Sequence, residues 1–142
     1  MDPKRYEAPA PEDRARVARL LAEALSTEMD VAFAYLFGSF ADPEAEAFHD
    51  VDVAVYLRPL PTAGGTERAL ALADRLGARL GLPVEVAVLN RAPVAFRYHV
   101  LRGVLLLSRE EELLGEVMER TIAEYLDLAP VLRRATREAF IP

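Results

Sequence analysis

The sequence has no cysteine, and Lys4 is its only lysine among 142 residues. The absence of cysteine excludes disulfide bonds, thiolate zinc sites and cysteine nucleophiles. Its apolar runs, such as Val53–Leu57 and Val104–Leu107, are strand-sized and fall well short of the roughly 20 residues of a membrane-spanning helix. The first residues, Met1–Glu7, lack the apolar segment of a secretory signal, so we expect a cytoplasmic protein.

Positive charge is also scarce, since the formal net charge is -6 at pH 7. Surfaces that bind nucleic acid are usually basic, so this balance argues against nucleic acid as the partner, although a local basic patch is compatible with it. Hydrophobic residues make up 52% of the sequence, which predicts a folded chain with a substantial core. The length fits one domain.

Hydrophobic periodicity predicts alternating helices and strands. The strands are expected at 31–37, 50–57, 84–89 and 104–107. The helices are expected at 11–29, 66–80, 94–101 and from 108 onward, with Thr66 and Ser108 as N-caps and Pro130 dividing the last helical region in two. This pattern predicts an α/β (α+β) fold, a small mixed sheet of about four strands packed by helices. Residues 1–10 are expected to be a flexible arm, followed by a single domain over 11–142 that includes the C-terminal helices.

Two acidic residues begin the second predicted strand. Asp50 and Asp52 point to the same face of that strand, because side chains at i and i+2 share a face and lie roughly 6.5–7 Å apart at the backbone. Magnesium prefers one or two carboxylates together with phosphate oxygens and water. Without a cation the two carboxylates would repel each other, and one would tend to remain protonated.

Gly38 and Ser39 end the preceding strand, and ten residues separate them from Asp50. Glycine allows a close approach of the backbone to a phosphate, and the Ser39 hydroxyl with nearby N–H groups can bond phosphate oxygens. The alternation of the next strand is expected to turn Glu85 to the same face as Asp50 and Asp52. Glu85 can therefore join them as a third metal ligand or general base. Asp-x-Asp or Gly-Ser alone usually marks a turn, but their combination between two apolar strands indicates a phosphate and metal site.

The signature Gly38-Ser39, ten residues, Asp50-Val51-Asp52 resembles the nucleotidyltransferase superfamily related to DNA polymerase β. The short chain is similar to the minimal nucleotidyltransferase (MNT) branch of that superfamily. The resemblance extends from about residue 12 to about residue 134 and includes the segments Val84–Pro93, Leu101–Leu106 and Glu124–Asp127. The chain departs from the family pattern after Ser39, where Phe40-Ala41-Asp42-Pro43 replaces x-Ala-Arg-Gly, and at His49, where serine is common.

The resemblance implies a nucleotidyltransferase fold that uses Mg²⁺ and ATP. MNT proteins are often encoded beside HEPN-domain ribonucleases, to which they act as antitoxins by transferring AMP to a tyrosine of the toxin. Carried over by motif, Gly38 and Ser39 would hold the triphosphate, Asp50 and Asp52 would bind the metal, and Glu85 would complete the acidic triad. The missing arginine of the loop would weaken nucleotide binding.

Two other functions remain open at this point. The chain is alternatively a catalytically weak fold that neutralises its partner by binding alone, or a small-molecule nucleotidyltransferase of the aminoglycoside-modifying kind. Arg91 either reaches a phosphate or lies on the surface, and His99 is expected to be structural or exposed. A surface for a helical toxin or a second copy of the chain is expected on the C-terminal helices, at Leu113, Leu128, Val131, Leu132 and Phe140.

Overall fold

The computed structural model describes residues 4–140, except for the side chains of 129, 132, 136 and 138–140. The strands are β1 (Tyr6–Glu7), β2 (Val31–Phe37), β3 (Ala47–Phe48), β4 (Val51–Leu57), β5 (Val84–Val88) and β6 (Val104–Ser108). The helices are α1 (Pro11–Ser26), α2 (Gly38–Ala41), α3 (Thr66–Leu80), α4 (Val94–Leu101) and α5 (Glu111–Phe140). Within this part of the chain, no helix combines the length and apolar composition that a membrane crossing requires.

Four strands form one mixed sheet in the order β5-β4-β2-β6. Strand β4 runs parallel to β5, whereas β2 is antiparallel to both β4 and β6. The parallel pair needs a crossover connection, and α3 supplies it between β4 and β5. The predicted fold class, a small mixed sheet packed by helices, is confirmed.

Helices cover both faces of this sheet. One face packs against α1 and α3 through a cluster that includes Leu21, Leu25, Val51, Val53, Val55, Leu72 and Leu76. The other face packs against α4 and α5 through a cluster that includes Phe33, Tyr35, Ala54, Val100, Leu114 and Val117. Because β2 is buried on both faces, its sequence is a continuous apolar run and does not alternate.

Asn90 fixes the end of β4 that lies farthest from its acidic residues. The side-chain Oδ1 of Asn90 accepts the backbone N–H of Leu57 at 2.9 Å, and its Nδ2 donates to the carbonyl oxygen of Leu57 at 2.8 Å. The amide therefore satisfies both backbone groups of Leu57 where the ladder with β5 has ended. Asp52 lies at the opposite, N-terminal end of the same strand, and Asp50 immediately precedes that strand.

The predicted N-caps of two helices are wrong. The N-cap of α3 is Gly65, with φ 87°, and Thr66 is the first helical residue. A Cβ at position 65 would lie 2.9 Å from Leu57 Cδ1, so packing against the sheet favours glycine there. Ser108 does not cap a helix, because it pairs with Phe33 as the last residue of β6, and α5 begins at Glu111.

Helix α1 ends at Ser26 instead of continuing to about residue 29. The hydroxyl groups of Ser26 and Thr27 donate to the carbonyl oxygens of Glu23 and Ala24. These bonds satisfy carbonyls of the last turn that have no partner within the helix, and they allow the chain to turn into β2.

The prediction that Pro130 divides the C-terminal region into two helices is also wrong. Helix α5 continues from Glu111 to Phe140 with Pro130 inside it. Proline has no N–H to donate to the carbonyl of Leu126, four residues earlier. Leu126 is 65% exposed, so water can bond this carbonyl in place of the missing donor.

The expected partner surface on α5 is described only in part. Val131 is 59% exposed, whereas Leu113 packs against the core beneath α4 and α5. The side chains of Leu132 and Phe140 lie outside the described residues. The surface therefore remains a prediction.

A second, two-stranded sheet joins β1 to β3. Tyr6 is opposite Phe48 in the antiparallel register, and their rings stack with centroids 5.1 Å apart. Residues 6–7 belong to the segment expected to be a flexible arm, yet they pair with the segment between Ser39 and Asp50. This pairing holds part of that segment beside the main sheet.

Candidate functional site

The three predicted acidic residues lie together at one end of the main sheet. Asp50 immediately precedes β4, and Asp52 is opposite Glu85 in the parallel register between β4 and β5. One carboxylate oxygen from each of the three residues lies within 4.8 Å of the others. The alternation of β4 directs Val51 and Val53 into the core against α1 and α3, so the acidic side chains occupy the opposite face.

Crowding of these carboxylates changes their affinity for protons. Burial, together with the neighbouring charge and hydrogen bond of Asp50, raises the pKa of Asp52 to about 7. A hydrogen bond with Asp50 raises the pKa of Glu85, and burial acts in the same direction. Both shifts express the cost of placing three negative charges in one partly buried site.

This donor set fits a hard divalent cation. Carboxylate oxygens are the protein ligands that Mg²⁺ and Ca²⁺ prefer, and about 4.2 Å separates two opposite oxygen ligands of one Mg²⁺. The 4.8 Å limit on the separations among Asp50, Asp52 and Glu85 is close to that value. A cation at this position would offset the burial and the repulsion that together raise the pKa of Asp52.

Gly38 brings the backbone against the acidic cluster. Phe37, the last residue of β2, pairs with Asp52, and Gly38 follows with φ 77°. A Cβ at position 38 would overlap Oδ2 of Asp52 and would lie 3.1 Å from its Cγ. Glycine is therefore required here both for the left-handed backbone and for space beside Asp52. Ser39 comes next and is exposed.

The short helix α2 fixes the position of Ser39. Phe40 is 1% exposed, and its ring meets Phe48 edge to face with centroids 4.9 Å apart. Arg14 Nε donates to the carbonyl oxygen of Phe40 at 3.0 Å, which ties α2 to α1. Phe40, which fills the unrestricted first position of the family pattern x-Ala-Arg-Gly, is thus a core residue of the loop.

Asp42 and Pro43 end α2 with a turn. The backbone N–H of Asp42 donates to the carbonyl oxygens of Gly38 and Ser39 at 3.2 and 3.3 Å. The Asp42 carboxylate accepts the backbone N–H of Glu44 at 2.9 Å. The loop therefore carries a negative charge at the place where the family commonly has arginine.

A cavity of about 610 Å³ adjoins Gly38 and Ser39. Its lining includes Asp42 and Pro43 from the loop after Ser39, and His99, Arg102 and Gly103 from the end of α4 and the connection to β6. The connection between α4 and β6 packs closely against the end of β2 at Gly103. A Cβ on Gly103 would lie 3.0 Å from the carbonyl oxygen of Val100 and 3.3 Å from Phe37 Cβ. The sequence indicated neither His99 nor Arg102 as a site residue, since only the packing of Gly103 reveals their place.

Two other polar residues, His49 and Arg91, do not join the acidic cluster. His49 is exposed, and its Nδ1 lies 3.1 Å from the carbonyl oxygen of Lys4. Arg91 follows β5 and lines a different cavity with Leu60 and Gly64. Its position at the C-terminal ends of β4 and β5 separates it from Asp52, so the interpretation of Arg91 as a surface residue fits the structure better.

Comparison with known proteins identifies the fold. The family described as Polymerase beta, Nucleotidyltransferase matches residues 20–112, a range that contains all five predicted site residues. No curated protein sequence matches the chain significantly.

Several solved structures contain a similar chain. One is the complex of the tri-AMPylated Shewanella oneidensis HEPN toxin with MNT antitoxin, where the TM-score is 0.68 and the identity 18% over 90% of this chain and 99% of that one. The MntA–HepT toxin–antitoxin gives a TM-score of 0.67 and 18% identity over 89% of this chain and 99% of that one. A toxin–antitoxin structure with AMP-PNP gives 0.68 and 20% over 87% and 98%. At these identities the likeness establishes the fold.

The family match and the fold agree with the geometry of the site. The matched range covers more than half of the 142 residues, and it runs from within α1 to the beginning of α5. The chain belongs to the polymerase beta nucleotidyltransferase family.

Proposed function

We propose that the protein transfers AMP from ATP, with Mg²⁺, to a tyrosine of a HEPN-domain ribonuclease toxin and thereby acts as its antitoxin. The observation that carries this proposal is the convergence of Asp50, Asp52 and Glu85 beside Gly38 and Ser39. Membership of the nucleotidyltransferase family supports the reaction class. The partner and the nucleotide are supported by similar structures, of which one holds a tri-AMPylated HEPN toxin with MNT antitoxin and another holds AMP-PNP.

Each site residue has a role in this proposal. Asp50 and Asp52 hold Mg²⁺, and Glu85 is the third ligand or the general base. Magnesium bound there supplies positive charge to the phosphate oxygens of the nucleotide. Ser39 is exposed, and its hydroxyl donates a hydrogen bond to a phosphate oxygen. The missing side chain of Gly38 leaves room for the Asp52 carboxylate to lie against the backbone beside that phosphate.

The proposed transfer is a substitution at the α-phosphorus of ATP. The phenolic oxygen of the acceptor tyrosine forms a bond to that phosphorus, and the bond from the phosphorus to the oxygen shared with the β-phosphate breaks. Pyrophosphate leaves, and the phenolic proton passes to the Glu85 carboxylate. Glu85 is exposed, so an acceptor side chain presented by another protein can reach it.

The test uses the purified protein, a candidate HEPN-domain toxin, ATP and Mg²⁺. The intact mass of the HEPN protein is expected to increase by one or more AMP units, and fragmentation is expected to place them on tyrosine. Omission of ATP or addition of EDTA should prevent the increase. A HEPN protein that is inhibited without any gain in mass would show that contact alone neutralises it, and the proposed reaction would be wrong.

A further inference from the structure

The cavity beside Gly38 and Ser39 needs positive charge to accept a triphosphate. Asp42 contributes a carboxylate to its lining, and Asp52 of the acidic cluster lies against Gly38. Among the lining residues, Arg102 is the one whose side chain is permanently cationic. Because the loop after Ser39 has no basic residue before Asp50 other than His49, the cation must come from another element.

The backbone of Arg102 is held firmly at this position. It is the C-cap residue of α4, and its N–H donates to the carbonyl oxygen of His99 at 3.3 Å. The next N–H, of Gly103, donates to the carbonyl oxygen of Val100 at 2.8 Å. Gly103 also packs directly on the end of β2, where a Cβ would overlap the carbonyl oxygen of Leu36. The connection that carries Arg102 therefore rests against the strand that leads into Gly38.

The guanidinium of Arg102 is positioned but not neutralised. It lies over the ring of Tyr98, 5.7 Å from the centroid, and Tyr98 stacks on Tyr125 with centroids 3.7 Å apart. Among the side chains that the structure describes, no carboxylate forms an ion pair with Arg102. Arg97, on the same helix, differs because it pairs with Glu124 at 2.6 Å. An exposed arginine supported by aromatic rings and free of a carboxylate is suited to binding an anion.

We infer that Arg102 binds the phosphate oxygens of the nucleoside triphosphate held at Gly38 and Ser39. This inference rests on the proposed function, and it assigns to α4 the positive charge that the loop after Ser39 lacks. Arginine donates up to five N–H groups in a planar fork, which suits the oxygens of a polyphosphate. Arg102 is a binding residue in this role, and the proton transfer remains with Glu85.

Isothermal titration with ATP and with inorganic tripolyphosphate, both in the presence of Mg²⁺, tests the role of Arg102. Loss of a hydrogen-bonded charge contact should weaken the binding of both ligands to Arg102→Gln by roughly 10–100-fold. Arg102→Lys retains the charge and should recover part of the affinity. Arg91→Gln changes the net charge equally at the other end of the sheet, and it should bind both ligands like the wild type.

The outcomes separate this inference from the proposed function. If Arg102→Gln binds ATP as tightly as the wild type does, the inference is wrong and the proposed function stands. A loss of ATP affinity without a loss of tripolyphosphate affinity would also contradict it, because the contact would then not be to phosphate. If the wild type binds no ATP, both are wrong. Unchanged melting temperatures of the ligand-free variants would confirm that each variant is folded.

Discussion

The Asp52 carboxylate lies so close to the backbone of Gly38 that residue 38 has no room for a side chain. A Cβ at position 38 would overlap Oδ2 of Asp52 and would approach Cβ of Asp52 to 3.3 Å. The closeness follows from the sheet, because Phe37 pairs with Asp52 and Gly38 is the next residue. The glycine of the proposed phosphate loop and the acid of the proposed metal site therefore form a single structural unit.

Substitution of Gly38 by alanine should abolish AMP transfer. The new methyl group forces the Asp52 carboxylate away from Asp50 and Glu85, so the three oxygens no longer converge. Alanine at the positive φ of Gly38 also costs about 1–2 kcal/mol of stability. The measurements are the rate of AMP transfer and the free energy of unfolding in urea.

Gly64→Ala is the matched control for this substitution. Gly64 has φ 84°, and nothing lies within 4 Å of a Cβ built there. The backbone strain is therefore the same but the clash with the acidic cluster is missing. We expect a similar loss of stability and a normal rate of transfer. If both variants retain activity, the space beside Asp52 has no role in catalysis.

The metal-free protein should become less stable as the pH rises towards 8. The pKa of Asp52 is about 7 in the folded protein and 3.8 in the ordinary carboxyl, so the folded state binds more protons between these values. The stability contributed by this carboxyl is complete below pH 3.8 and is lost as the pH rises through about 7. Melting temperatures measured in EDTA between pH 5 and pH 8 should show this decrease.

Asp52→Asn removes the titrating group, so the decrease should become shallower and the variant should melt above the wild type at pH 8 in EDTA. The exposed Asp74 of α3 offers a control, since Asp74→Asn makes the same charge change away from the cluster. Addition of Mg²⁺ should raise the melting temperature of the wild type and of Asp74→Asn, but not of Asp52→Asn. An equal effect of Mg²⁺ on all three proteins would place the metal elsewhere.

Arg68 connects the start of α3 to the segment before β2, and its removal should destabilise the fold. Its guanidinium donates to Glu28 and to both carboxylate oxygens of Asp30 at 2.7 Å, with 22% of the Arg68 side chain exposed. Hydrogen bonds from Arg68 lower the pKa of Glu28 and of Asp30. Arg68→Gln should therefore cost on the order of 1–3 kcal/mol at pH 7, measured by urea denaturation.

This cost should depend on pH in a defined direction. Because the folded-state pKa values of Glu28 and Asp30 are lowered, their stabilisation is present above the ordinary values of 4.5 and 3.8 and is lost as the pH falls further. The difference between Arg68→Gln and the wild type should thus shrink below pH 3.8. Arg16, paired with Asp13 at 3.8 Å and 58% exposed, provides a comparison whose removal should cost less than about 1 kcal/mol at either pH.

The strands of the main sheet and its acidic cluster were predictable because they follow local patterns. Alternation along β4 places Val51 and Val53 on one face of the sheet and Asp52 on the other. The same alternation along β5 places Glu85 on the face of Asp52. The prediction that these carboxylates share one face is confirmed by the parallel register. Their roles as metal ligands and general base remain predictions.

Features that depend on contacts between distant segments could not be predicted in this way. Strands β1 and β3 have two residues each, which is too short for any period to show. The place of Arg102 beside Ser39 depends on the packing of Gly103 against β2. Pro130 shows the limit of a local rule, since an exposed helix tolerates the missing hydrogen bond that usually ends one.

The most direct measurement of the proposed catalytic site is the rate of AMP transfer by Glu85→Gln. Glutamine keeps the size of the side chain but cannot take the proton of the acceptor hydroxyl, so the rate should fall by roughly 10²–10⁴-fold. Affinity for ATP with Mg²⁺ should change little, since Asp50 and Asp52 are intact, and Glu67→Gln on the exposed side of α3 should react normally. A wild-type rate for Glu85→Gln, measured by intact mass of the HEPN protein under the same conditions, would contradict the assignment of Glu85 to the catalytic site.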